Sequence, residues 1–151
     1  MADIRSSRAH KFLNRLFGSA EEINGANRCP TYLYRWMLVS LKGRKAYLHH
    51  FVGDDWSLDL HCHPKRFISI GLWGSYVEIT PNGQKSYRAP WIRSFPAEHK
   101  HRLMVGPNGN CWTLVVVLRP TREWGFWPDG VFIPWRAYVK SETADRRKSC
   151  P

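Results

Sequence analysis

Residues 66–95, RFISIGLWGSYVEITPNGQKSYRAPWIRSF, decide the fold class. RFISIGLWG and SYVEIT are rich in aromatic and β-branched residues and short enough to be strands. Pro81-Asn82-Gly83 follows them. Proline presets its φ and Asn-Gly tolerates positive φ, so this is the strongest hairpin signal in the chain. QKSYRAPWIRSF then returns as strand. The same grammar extends outward. YLYRWMLVSL (32–41) and KAYLHHFV (45–52) flank a Lys42-Gly43 turn, and Gly106-Pro107-Asn108-Gly109-Asn110 is a further turn. CWTLVVVL (111–118) is a continuous apolar strand expected to be covered on both faces, and Pro128-Asp129-Gly130 precedes VFIPWRAYV. Short strands at regular spacing, with no helical pattern alternating between them, predict an all-β sandwich or barrel and exclude a βαβ architecture.

Only the ends differ. SSRAHKFLNRLF (6–17) places Ala9, Phe12, Leu13, Leu16 and Phe17 on one helical stripe, with Gly18 as its stop. The stripe predicts a short N-terminal helix packed by that face, with Arg5, Arg8, Lys11 and Arg15 on other faces. Residues 18–30 read as loop. The polar run from Lys140, KSETADRRKSCP, reads as a frayed tail. The expected organisation is therefore 1–30 helix and loop, 31–139 β-barrel domain, and 140–151 flexible basic tail.

The chain has 151 residues and a formal net charge of +11. That length suits one domain with a real core. Residues 1–45 hold nine Lys/Arg against three Asp/Glu, residues 46–139 ten against seven, and the last twelve four against two. The excess thus sits on the ends, where nucleic acid is a conceivable but not the favoured partner. No apolar run spans a membrane and no secretory signal is visible, so a cytoplasmic location is expected by default. The four cysteines, Cys29, Cys62, Cys111 and Cys150, form no CxxC pair and are expected to be reduced.

Four of the seven histidines fall in two segments that flank residues 66–95: DLHCHP (59–64) and FPAEHKHRL (95–103). In an extended chain His61 and His63 share a face, about 7 Å apart, with Ser57 and Asp59. Leu58, Leu60 and Cys62 share the other. An HxH pair alone is a weak signal, because strand periodicity equally places it in water. In the second segment, however, His99 and His101 alternate onto the apolar face with Phe95, Ala97 and Leu103. Buried imidazoles require hydrogen-bond partners or a metal.

These residues resemble the two motifs of the cupin superfamily. Gly53, His61-Cys62-His63 and Gly74 match the first motif. Pro96-Ala97-Glu98-His99-Lys100-His101 matches the second and places His101 at the metal position. The resemblance covers about residues 32–120. Four further pieces, His61–Phe67, Leu72–Glu78, Arg122–Trp127 and Ile133–Arg136, are similar to small cupin-like proteins of bacteria and phages. The resemblance implies a cupin-type antiparallel β jelly roll, with homodimers common in the superfamily. Phe67 and Ile68 stand where the first motif carries its glutamate, and Glu98 stands at the glycine of the second. The implied ligand set is therefore His61, His63 and His101, as in thiol-dioxygenase-like cupins. Such a set suits Fe(II) first, and Zn, Ni or Cu as well. The strand Cys111–Leu118 lacks the Ser-His-Tyr pattern of cysteine dioxygenases, which argues against cysteine itself as substrate.

Other residues complete the expected site. Asp59 is the candidate carboxylate behind a ligating imidazole, with a solvated strand-end residue as the alternative. Glu98 and His99 are further ligands or turn residues beside the site. Arg35, Arg66 and Arg93 are candidates for holding a substrate carboxylate or phosphate. Trp73 and Tyr76 flank Gly74 as candidate pocket walls. Glu78, on the face of Tyr76, reads either as a general base or as a surface charge. REWGFWPDGVFIPWR (122–136) reads as a hairpin sealing one end of the barrel, or as an aromatic-basic platform. The expected function is a metal-binding small cupin acting as a dioxygenase-like enzyme on a small organic thiol or acid. The alternatives are a non-catalytic cupin for small-ligand binding or protein interaction, and a basic nucleic-acid-associated protein.

Overall fold

The structure, a computed structural model, describes residues 7–106 and 109–150. A helix, α1 (Arg8–Phe17), precedes the strands β1 (Glu21–Ile23), β2 (Leu33–Leu41), β3 (Arg44–Phe51), β4 (Lys65–Trp73), β5 (Ser75–Thr80) and β6 (Gly83–Arg88). β7 (Trp91–Phe95), β8 (Arg102–Met104), β9 (Cys111–Pro120), β10 (Gly125–Phe126) and β11 (Ile133–Pro134) follow, and α2 (Trp135–Tyr138) and α3 (Glu142–Arg146) close the chain. One sheet runs β1-β2-β3-β9-β4-β7, a second β6-β5-β8, and β10 pairs with β11. Every pairing is antiparallel.

The Pro81-Asn82-Gly83 turn joins β5 to β6 as the sequence predicts. Gly74 makes the tight corner between β4 and β5 at φ 80°, where a Cβ would meet the carbonyl oxygen of Asn110 at 1.9 Å. QKSYRAPWIRSF is divided at Ala89-Pro90 into β6 and β7, because a proline cannot continue the ladder. The predicted loop 18–30 contains β1. Pro107 and Asn108 of the predicted turn at 106–110, and the first six residues, lie outside the described residues.

Alternation along β2, β3, β4 and β9 turns Leu33, Tyr47, Phe51, Phe67 and Val115 into a cavity between the sheets, met from the other side by Tyr76 and Leu103. β9 is not covered equally on both faces. Cys111, Thr113 and Val115 are buried, whereas Trp112, Leu114 and Val116 on the outer face are half-buried. The same outer face leaves Ile92 76% exposed.

Helix α1 docks by the opposite face from the one its apolar stripe predicts. Phe12 and Leu16 are 65% and 60% exposed, while His10 is buried. His10 Nε2 lies 2.8 Å from His50 Nδ1, and Trp36 Nε1 donates to Asn14 Oδ1 at 2.8 Å. The sheet under the helix presents polar tips of Trp36 and His50, which need partners when buried. Those partners, rather than apolar area, choose the face. The Ser7 hydroxyl caps the helix by accepting from the His10 amide, and Gly18 ends it at φ 83°.

The C-terminal tail is not frayed. Ser141 caps α3, and Tyr138 and Ala144 are buried with Trp56 and Phe126. Burying aromatic side chains of this size contributes roughly 2–3 kcal/mol each. Asp59 accepts from Tyr138 Oη at 2.6 Å and from Arg147 Nε at 2.7 Å. Behind them the Leu58 amide donates to the Arg147 carbonyl at 2.7 Å. The expectation of four reduced cysteines is also corrected. Cys29 and Cys150 form a disulfide with Cα atoms 5.7 Å apart, whereas Cys62 and Cys111 are free and buried. An ion pair of Arg28 with Asp145 at 2.7 Å holds the same two segments together. Among the described residues no helix is long and apolar enough to cross a membrane.

Candidate metal centre and ligand cavity

The two histidine segments meet through their backbones. The His61 amide donates to the His101 carbonyl and the His101 amide to the His61 carbonyl, each at 2.9 Å. The His63 amide donates to Ala97 at 3.1 Å. On its other side the segment is held by Cys62 to Gly125 at 3.0 Å and Trp127 to Leu60 at 2.9 Å. Residues 60–63 are thus zipped between the second histidine segment and β10. Cys62 packs away from the imidazoles, fully buried.

The donor nitrogens of His61, His63 and His101 lie within 4.8 Å of one another. His63 Nε2 and His101 Nε2 are 2.8 Å apart. Two nitrogens bound at about 2.1 Å and at right angles on one divalent ion sit about 3.0 Å apart, so this pair fits adjacent coordination positions. Burial, reinforced by the neighbouring imidazoles, pushes the pKa values of His61 and His63 well below 6.5. They are neutral at pH 7, as metal ligands must be. The donor set fits a divalent metal.

Glu78 organises this group from β5. Its Oε1 accepts from His101 Nδ1 and from His99 Nε2, each at 2.8 Å, and its Oε2 from Arg93 at 2.6 Å. Burial acts to raise the Glu78 pKa, but these three donors outweigh it and hold the carboxyl well below the usual carboxylate range. Glu78, His99 and His101 also form a second group of potential ligands. Asp55 Oδ2 lies 3.8 Å from His61 Nδ1 and accepts from the Leu103 amide at 2.7 Å. Burial pushes the Asp55 carboxyl up to about 6.

The structure places the other sequence candidates as follows. Asp59 serves Tyr138 and Arg147, not an imidazole. Its loop bends back to the C-terminal helices, so its side chain leaves the histidine face that strict strand alternation gave it. Asp55 and Glu78 stand beside the imidazoles instead. His99 joins the group through Glu78, and Glu98 is exposed. Tyr76 lines the cavity, but Trp73 is 67% exposed, because the register shift between Gly71 and Trp73 pairs it with Trp112 on the outer face. Arg93 is engaged with Glu78 and with Tyr76 Oη at 2.8 Å. Arg66 is exposed on the outer face of β4, and Arg35 lines the cavity. The sequence signal for Glu78 was its two-residue spacing from Tyr76, which put it on the face of Tyr76 but left a surface charge as open as a general base.

The cavity measures about 660 Å³ and includes His61, His63 and His101 in its wall. That volume lies within the range of small-molecule sites, about 300–1,000 Å³. Trp124, Phe126 and Trp135 line it from the β10–β11 hairpin and α2.

No protein-family model matches the sequence, and no curated protein is similar to it by sequence. Solved structures do resemble it. The polyketide cyclase RemF from Streptomyces resistomycificus is 17% identical, with a TM-score of 0.53 over 75% of this chain and 82% of that one. A sugar phosphate isomerase from the cupin superfamily, from Silicibacter pomeroyi, is 15% identical, with a TM-score of 0.51 over 63% of this chain and 65% of that one. The fold is an antiparallel β jelly roll, similar to that of the cupin-superfamily structure above.

Proposed function

We propose that this chain is a metal-dependent cupin in which His61, His63 and His101 hold one divalent ion, Fe(II) in the first place, beside a cavity for a small organic thiol or acid. The observation that carries the reading is the 2.8 Å approach of His63 Nε2 to His101 Nε2, with His101 Nδ1 held by Glu78. When bound there, Fe(II) supplies Lewis acidity and electrons for dioxygenase-like chemistry with O₂. The chain supplies orientation and shelter. Glu78, an ionised acceptor, keeps the His101 proton on Nδ1 and leaves the Nε2 lone pair for the metal. The stacked rings of Phe67 and Phe95, 4.7 Å apart, pack against His63 and His101 and exclude water from that side.

The test is metal analysis of untagged protein, followed by anaerobic loading with Fe(II) and measurement of O₂ uptake over a panel of thiols and organic acids. Stoichiometric metal, its loss in His63→Ala, and substrate-dependent O₂ uptake support the reading. Protein that binds no divalent metal overturns it. Metal binding without O₂ uptake on any panel member replaces the enzyme with a non-catalytic metal-binding cupin.

A further inference from the structure

The six-stranded sheet carries a line of polar side chains into the barrel. Arg35 on β2 pairs with His49 on β3, and His49 pairs with Thr113 on β9. Direct partners on neighbouring antiparallel strands project from the same face, one strand spacing of about 4.8 Å apart. All three residues line the cavity, among neighbours that are largely apolar or aromatic: Phe51, Phe67, Phe95, Val115 and Val117.

Two members of the line have no partner among the described residues. His49 Nε2 and Thr113 Oγ1 are both buried and make no hydrogen bond. Thr113 is only 1% exposed. Buried polar atoms are almost always paired, and an unpaired one aimed into a cavity marks a place for a ligand's polar group. Burial holds the His49 pKa down to about 3, so it is a neutral donor or acceptor and not a cation. His49 lines the same cavity as His63 and His101. The line and the three histidines therefore share one cavity wall.

The end of the line is cationic. The Arg35 guanidinium gives Nε and Nη2 to Glu21 Oε2, at 3.0 and 2.6 Å, and lies 4.9 Å from the centre of the Tyr47 ring. Its Nη1 makes no hydrogen bond among the described residues. Lys65 also lines the cavity, and the charges of Lys45 and Arg35 both bear on its ammonium group. Neither lysine has an acidic partner among the described ion pairs. Two cations, Arg35 and Lys65, line this partly exposed part of the cavity beside Glu21, whose Oε2 takes Nε and Nη2 of Arg35, and the Lys65 ammonium and the remaining Arg35 Nη1 suit an anionic group.

We propose that the ligand of this cavity is a small hydroxy acid, its carboxylate held by Arg35 and Lys65 and its hydroxyl hydrogen-bonded between His49 Nε2 and Thr113 Oγ1. This assignment rests on the reading of the barrel as a ligand cavity, but none of its four residues belongs to the metal group.

The test is calorimetric titration of the chelator-treated full chain with lactate, malate, succinate and erythritol, with nickel binding followed separately by chelator competition. Malate or lactate binds saturably, malate at least about fivefold more tightly than succinate, which lacks the hydroxyl, and erythritol, which lacks the charge, does not bind. Thr113→Val removes the preference for malate over succinate, and Arg35→Met or Lys65→Met weakens both acids about tenfold. All three variants keep nickel binding, which also shows that they are folded. The proposal is overturned if neither hydroxy acid saturates the wild-type chain, if malate and succinate bind alike, or if Thr113→Val leaves the preference intact. Hydroxy-acid binding without nickel binding upholds the ligand assignment and overturns only the metal centre. Nickel binding without hydroxy-acid binding does the reverse.

Discussion

Glu78 Oε1 lies 2.8 Å from His101 Nδ1, and this contact fixes which nitrogen of His101 faces His63. An ionised carboxylate only accepts, so the imidazole hydrogen must sit on Nδ1 and the Nε2 lone pair must point the other way. Arg93 and His99 complete the anchorage of the carboxylate. The orientation of a candidate ligand is thereby set by a side chain that is not itself one of the three histidines.

Glu78→Gln tests that relationship. The amide oxygen can accept from only part of the donor set, and the amide NH₂ then faces a donor. Metal affinity is expected to fall about 10–100-fold while the fold persists. Competition with a calibrated chelator measures it, and unchanged affinity would remove Glu78 from the account of the site.

Two overlapping groups compete for the role of metal cage, one with His61 and His63, the other with Glu78 and His99. His63→Ala is expected to lower metal affinity by at least about tenfold, and His99→Ala by much less. The opposite ranking, read by metal content after desalting, moves the ion to the second group.

Asp59→Asn separates structural from metal-supporting carboxylates. Asp59 is buried against Tyr138 and Arg147, so the variant is expected to lose about 1–3 kcal/mol of unfolding free energy. Its metal affinity should match that of wild type. A normal denaturation midpoint combined with weakened metal binding contradicts the assignment.

The disulfide of Cys29 with Cys150 spans 121 residues of sequence. Replacing both cysteines by serine is expected to lower stability by about 2–5 kcal/mol, chiefly by freeing the unfolded chain. Urea midpoints with and without reductant measure it, and adding reductant to the double variant should change nothing.

The pH response of α1 docking has a definite sign. Burial is the main cause that lowers the His50 pKa from 6.5 to about 4. Between those values the unfolded chain binds the proton more readily, so stability is full above about pH 6.5 and falls as the pH drops toward 4. The slope contributed is at most about 1.4 kcal/mol per pH unit. His61 and His63 act in the same direction, so the measurement is the difference between wild type and His50→Gln in thermal melts from pH 4 to 7. The variant should show the shallower decline, and equal slopes reject the role of His50.

Strand propensity and turn chemistry made the barrel legible, because Pro81-Asn82-Gly83 and Gly74 state their geometry locally. The histidine cluster was legible too, since two-residue spacing in an extended chain puts His61 with His63. What failed was long-range. The apolar stripe of α1 said nothing of Trp36 and His50, whose polar tips select the other face. Asp59 lost its expected role to a tyrosine and an arginine 79 and 88 residues away. Glu78 carried the right face but no local mark of its three donors. The tail looked disordered because its polar composition hides a buried side chain, Ala144, and a cysteine whose partner is Cys29.

The Cys29–Cys150 link has a mechanical consequence. Tension applied between the two ends of the oxidised chain passes along the first segment to Cys29, crosses the sulfur bridge and leaves at residue 150. Among the described elements, α1 and β1, which precede Cys29, lie on that force path. The remaining strands of the barrel, the histidine cluster and the C-terminal helices are shielded from load, and the segment between Cys29 and Cys150 should not lengthen until the bridge is reduced.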